Sequence, residues 1–319
     1  MEFKSDSELI ELRDRYGLSS ARKGYEEYKG YALPDNFSEF QKEIEDLEVY
    51  DDDVWVTSFP KSGTTWMQEL VWCVTNDLDF EAAKVDLDER FPFIEFCTFV
   101  GMDDPNDAVP YIRRSVEFLK SRPRPRFVKT HLPWELMPKQ IRTFEKRPKI
   151  IHVARNPKDV CVSYYHHARF LENYSGDFNL FVQLFLRNKA NYAPFFNNIL
   201  SYWSRRSEPN IIFLKYEDMK KDLRSVLLLV TKFLGYELSE DQVKTLLHHL
   251  SFEVMRHNKA TDHSNLAAFL KSKGLLFNPD GEFMRTGTSG SFKSEMSPAM
   301  IEYFNRWTEE NLAGTGLEL

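Results

Sequence analysis

Four short runs of apolar and β-branched residues, each followed closely by something able to start a helix, constrain this chain more than any other feature. Val54-Trp55-Val56-Thr57-Ser58-Phe59 leads into Pro60-Lys61-Ser62-Gly63 and a helical stretch from about Thr64 to Val74. Arg126-Phe127-Val128-Lys129-Thr130-His131 is stopped by Pro133, and Lys149-Ile150-Ile151-His152-Val153-Ala154 is followed by Asn156-Pro157, an N-cap and a first-turn proline. Asn210-Ile211-Ile212-Phe213-Leu214 precedes Tyr216-Glu217-Asp218 and a helix near Leu223–Leu234. Continuous apolar strands alternating with helices predict an α/β fold with a parallel sheet covered on both faces. Ligands of such sheets bind beyond the carboxyl ends of the strands. Further helices are expected at about Phe178–Arg206, broken near Pro194, at Ser239–Leu250, and from the Ser297-Pro298 cap to about Glu310.

At 319 residues the chain fits one large α/β domain, 1–319, with residues 1–32 as an N-terminal extension. Lys and Arg number 42 against 49 Asp and Glu, a formal charge of −7, so neither a nucleic-acid nor a membrane partner is expected. An anionic ligand must therefore be met by a local cationic pocket. The charged start lacks a signal peptide's apolar core, and no segment reaches the roughly 18 uninterrupted apolar residues of a membrane span. Cys73, Cys97 and Cys161 fit neither a disulfide framework nor a zinc site, which predicts a cytoplasmic location and no metal.

Phe59-Pro60-Lys61-Ser62-Gly63-Thr64-Thr65-Trp66 lies between strand and helix, where backbone N–H groups and the positive helix end converge on one point. That point suits a phosphate or a sulfate. Lys61 adds a mobile cation, Ser62, Thr64 and Thr65 add hydroxyls, and Gly63 permits close backbone approach. The order is P-loop-like without being a Walker A, because the glycine follows the lysine.

With this turn, the motifs Arg90-Phe91-Pro92-Phe93-Ile94-Glu95-Phe96, Lys129-Thr130-His131-Leu132-Pro133, Arg155-Asn156-Pro157-Lys158-Asp159, Ser163-Tyr164-Tyr165-His166 and Tyr216-Glu217-Asp218-Met219 follow in order. Ser251-Phe252 with Met255, and Phe283-Met284-Arg285, complete a series that resembles the cytosolic sulfotransferase family, from about Leu33 to the last helix. The connecting stretches look more like invertebrate members. The resemblance implies transfer of a sulfuryl group from 3′-phosphoadenosine 5′-phosphosulfate (PAPS) to a hydroxyl or amine of a small hydrophobic acceptor. It also implies adenosine 3′,5′-bisphosphate as the product and no metal.

Sulfuryl transfer needs an in-line acceptor oxygen, a base and positive groups. His131 is the expected base, since an imidazole with a pKa of about 6.5 can take a proton at neutral pH. Lys61 would stabilise the oxygen bridging sulfate and 5′-phosphate, and Lys129 the sulfuryl oxygens. Arg155 and Ser163 can reach a second anion, the 3′-phosphate. By analogy with the family, Trp66 and Phe252 are stacking faces for adenine, Tyr216 hydrogen-bonds it, and Ser251 and Met255 adjoin the nucleotide. The glycine-bearing stretch 280–294 would cover the nucleotide through Arg285, Thr286 and Gly287. The family usually has a lysine where this chain has Thr286, and often a threonine where it has Leu250.

For the acceptor pocket, Phe59, Phe93, Phe96, His131 and His167 match lining positions, and an apolar aromatic pocket suits a phenol, a steroid or another hydrophobic alcohol. Plain core packing is the competing reading of Phe93 and Phe96. Lys293 and Glu302 keep the spacing of the family's dimerisation signature, so a homodimer through 293–302 is expected, although Pro298 replaces its valine and removes one N–H. The rival readings are a nucleotide kinase, which would need the absent Walker A pattern, and a donor-binding homologue without turnover.

Overall fold

The computed structural model describes residues 4–17, 24–34, 36–99, 109–274, 276 and 283–319. Asp280 and Gly281, at the start of the expected covering stretch, lie outside the described residues. An antiparallel hairpin, β1 (Tyr25–Tyr28) and β2 (Tyr31–Pro34), precedes the central strands. Those are β3 (Val54–Ser58), β4 (Phe127–Thr130), β5 (Lys149–Ala154) and β6 (Ile211–Lys215). All pair in parallel in the order β4-β3-β5-β6. After β4 on one side of β3 the chain crosses to β5 on the other, which opens a crevice at the carboxyl ends of these strands.

Successive strand residues point to opposite faces, and two cores result. Trp55, Val128 and Ile150 enter one, while Val54, Val56, Ile151 and Val153 enter the other. Helix Pro157–Leu171 starts as expected, with the Asn156 side chain accepting from the Lys158 amide and Pro157 in the first turn. The break falls over 187–194: helix Phe178–Leu186 ends first, and Pro194 stands immediately before helix Phe195–Trp203. The last helix runs Pro298–Leu312 behind a Ser297 cap. Pro298 therefore stands in a first turn, where a missing N–H leaves no intrahelical bond unmade.

The N-terminal segment is integrated rather than appended. Leu9, in helix Asp6–Gly17, is fully buried. Hairpin residue Ala32 exchanges backbone bonds with the 192–193 segment, donating to the Ala193 carbonyl at 2.9 Å and accepting from the Tyr192 amide.

Candidate active site

The four strand ends converge on a cavity of about 260 Å³. Lys61 follows β3, His131 follows β4, Arg155 follows β5 and Tyr216 follows β6; all four line it.

Each polar neighbour of His131 fixes part of its chemistry. Its backbone N–H donates to Glu95 Oε1 at 2.6 Å, the Thr130 hydroxyl donates to Glu95 Oε2 at 2.8 Å, and the Asn198 amide donates to the His131 carbonyl at 2.8 Å. Ring atom Nδ1 lies 2.8 Å from the Ser58 carbonyl oxygen. A carbonyl can only accept, so Nδ1 carries the proton and the neutral ring leaves its Nε2 lone pair free for chemistry. Burial and then the Lys129 charge hold the ring's pKa well below its ordinary value of 6.5. The imidazole is therefore an unprotonated acceptor of protons at neutral pH. Burial also pushes the Glu95 carboxyl up, to about 7, against the two hydrogen bonds that favour its ionised form.

Lys61 adopts φ +68°, and its ammonium sits 3.7 Å from the centre of the Phe283 ring. Burial, followed by the charges of Lys129 and Arg155, brings it down to about 7. Lys129 and Arg155 repel the Lys61 charge, and an anionic ligand beside the three would relieve that repulsion. Lys129 lies 3.8 Å from buried Asp88 and 4.4 Å from the centre of the Phe93 ring. Asp88 also pairs with His263 Nδ1 at 3.1 Å. Burial alone would raise the Asp88 pKa; His263 and Lys129 hold it well below the usual carboxylate range.

At the other end, Gly63 (φ +107°) precedes helix Thr64–Thr75, and the first intrahelical bond runs from the Met67 amide to the Gly63 carbonyl. The amides before it face the cavity end of the helix, the arrangement that holds anions. A Cβ on Gly63 would meet Tyr216 Cδ2 at 2.7 Å, so glycine is needed for conformation and for space. Arg155 donates to the Lys61 carbonyl at 3.0 Å and the Thr288 carbonyl at 3.2 Å and lies over Tyr216, which leaves its buried Nε without a partner. Ser163 lines the same end. Trp66 donates from its indole N–H to the Leu250 carbonyl at 2.9 Å, so Leu250 contributes through its backbone.

The stretch from Phe283 closes this end. Asp159 anchors it, accepting from the Gly290 amide at 2.7 Å, the Ser291 hydroxyl at 3.1 Å and the Phe292 amide at 3.2 Å. Gly287 (φ +59°) packs so closely that a Cβ would meet Phe252 Cδ2 at 2.2 Å. Phe252, Met255, Arg285, Thr286 and Gly287 line the cavity, as do Gly63, Thr64, Thr65 and Trp66.

Phe93, Phe96 and His167 also line it, with Phe93 and Tyr192 edge-on to the His131 ring at 5.2 and 5.4 Å. Burial, then the Lys61 charge, pushes the His167 pKa well below its ordinary value. Three expected residues stand elsewhere. Phe59 is fully buried behind the wall, edge-on to Tyr164, Phe185 and Phe195, because the bend at Pro60 turns it into the core. Ser251 spends its hydroxyl as N-cap of helix Phe252–His257, accepting from the Val254 amide. The Ser62 side chain is fully buried and does not line the cavity.

Sequence reasoning missed Asp88, Tyr192, Lys220 and His263, which line the cavity from segments far apart in the chain. For Tyr192 and Lys220 no local signal exists. His263 sits at φ +53° before helix Ser264–Ser272, whose Leu266 and Leu270 extend the apolar wall.

The sulfotransferase domain family matches residues 51–316. Luciferin sulfotransferase of Photinus pyralis is 43% identical over 286 residues, 88% of this chain and 77% of its own length. Sulfotransferase 1E1 of Cavia porcellus is 32% identical over 298 residues, covering 92% of this chain and 95% of its own. Among solved structures, retinol dehydratase in a complex with retinol and PAP superposes with a TM-score of 0.86 at 29% identity, covering 99% of this chain and 98% of that one. The same enzyme with androsterone and inactive cofactor PAP gives 0.84 at 29% identity, covering 99% and 97%.

Proposed function

The chain belongs to the sulfotransferase family, and from that premise we propose that it sulfonates a small hydrophobic phenol or alcohol with His131 as general base. PAPS is the donor, and when bound it supplies an activated sulfuryl group on its 5′-phosphate. The residues fit a nucleotide with anionic groups at both its 3′ and 5′ positions: an anion-binding helix end, the buried Arg155 Nε without a partner, and two glycines packed against aromatic rings.

The observation that carries the reading is the His131–Ser58 contact, which leaves Nε2 unprotonated. Nε2 takes the hydroxyl proton as the acceptor oxygen bonds to sulfur and the bond from sulfur to the phosphate oxygen breaks. Lys61 meets the charge left on that oxygen, and Lys129 meets the sulfuryl oxygens. Arg155, Ser163, Arg285 and Gly287 hold the 3′-phosphate, and Trp66, Phe252 and Tyr216 hold adenine. Phe93, Phe96, Phe99 and Tyr192, their rings tilted or edge-on to one another, form an aromatic apolar wall beside the base, suited to hydrophobic acceptors. Retinol and androsterone in the neighbouring structures, and luciferin in a relative's name, agree with an apolar acceptor pocket.

A screen of phenols, catecholamines, steroids and retinol-like alcohols with labelled PAPS tests this. We expect metal-independent transfer to at least one flat phenol or alcohol. Tight bisphosphate binding without any transfer would favour the homologue without turnover. A cytoplasmic setting is supported by Cys73, Cys97 and Cys161, all buried thiols. The homodimer through 293–302 is likewise proposed, with light scattering of Lys293→Glu as its check.

A further inference from the structure

Arg285 lines the nucleotide end of the cavity, and its side chain is already engaged. Its Nη1 lies 2.9 Å from Glu295 Oε1, and the other oxygen of that carboxylate lies 2.7 Å from Nε2 of His166, on helix Pro157–Leu171. Glu295 follows the turn Ser291–Ser294, which Asp159 pins to the same helix through Gly290, Ser291 and Phe292. The Glu295 amide donates to the Phe292 carbonyl at 3.1 Å, so the carboxylate stands on a braced piece of backbone. Arg285 comes from the stretch that closes over the nucleotide; Glu295 belongs to the part already fastened down.

We propose that Glu295 competes with the 3′-phosphate for Arg285 and so weakens the hold on the bisphosphate product. This rests on the placement of the 3′-phosphate given above. Each guanidinium N–H donated to Glu295 is withdrawn from the phosphate, and a carboxylate sharing the same cation repels the incoming anion. The phosphate offers more acceptor oxygens and more charge, so it can displace the carboxylate. When product leaves, Glu295 takes Arg285 back. With threonine at position 286, Arg285 is the cation this stretch contributes to the cavity, so its competitor sets much of the affinity.

The test is calorimetric titration of Glu295→Gln with adenosine 3′,5′-bisphosphate and with adenosine 5′-phosphate, which lacks the competing group. We expect the bisphosphate to tighten about two- to fivefold, the upper range of an exposed charge pair, and the 5′-phosphate to stay unchanged. Equal change for both nucleotides, or weaker bisphosphate binding, overturns the proposal; the latter would mean that Glu295 orients Arg285 for the phosphate. Arg285→Ala provides a second arm. Adding Glu295→Gln to it should change bisphosphate affinity little, and a full additive gain overturns the competition. If the unaltered protein binds the two nucleotides equally, the 3′-phosphate placement itself fails, which the remaining arms do not report.

Discussion

Nδ1 of His131 lies 2.8 Å from the carbonyl oxygen of Ser58, the residue that ends β3. The neighbouring strand thus chooses the tautomer of the proposed base. Ser58 also shares a 2.6 Å hydrogen bond with Thr64 at the start of helix Thr64–Thr75, so one residue ties His131 to the proposed anion site.

Because burial and Lys129 depress the His131 pKa, the ring stays unprotonated until well below pH 6.5. Activity should therefore hold as pH falls to that value and be lost only below it. His131→Ala should lower kcat by about 10²–10⁴-fold while bisphosphate affinity stays within a few-fold. Steady-state rates across pH, with calorimetry on the variant, check both.

Lys61 has the opposite sign. Its pKa of about 7 must rise when an anion lies beside it, so bisphosphate affinity is full below about 7. Above that value it should fall as pH rises, until the pKa of the complex is passed. Titrations at pH 8 in buffers of different ionisation heat should show proton uptake, and Lys61→Met should abolish most of it.

Gly287→Ala would place a Cβ 2.2 Å from Phe252 Cδ2 at a positive φ. Phe252 would have to leave the position assigned to adenine stacking. We expect bisphosphate binding to weaken tenfold or more, on the order of 1.4 kcal/mol, with little change in melting temperature. A loss of stability as large as the loss of affinity would show that the contact serves packing alone.

Thr286 is exposed and lines the cavity beside Arg285. Thr286→Lys should tighten the bisphosphate about two- to tenfold, with the gain shrinking as salt rises. Adenosine 5′-phosphosulfate should gain less. Titrating both ligands at two ionic strengths decides it.

The sequence by itself determined the sheet, the turn and the order of the motifs. Strand runs such as Lys149–Ala154 and caps such as Asn156-Pro157 are local, since period and hydrogen-bonding chemistry lie within a few neighbouring residues. The polar residues at the strand ends were legible for the same reason: a parallel sheet puts every carboxyl end on one edge. Direction was not legible. Phe59 belongs to the same octet as Lys61, yet the bend at Pro60 sends it into the core, and Ser251 is drawn away by a helix cap. Asp88, Tyr192, His263 and Glu295 reach the site or its arginine only because the crossovers return distant segments to the cavity. Their roles come from pairings with Lys129, His131 and Arg285, and a pairing across the fold leaves no period in the chain. The three-dimensional packing also set the charge states, because burial and neighbouring cations, not residue type, hold His131 neutral and bring Lys61 near neutrality.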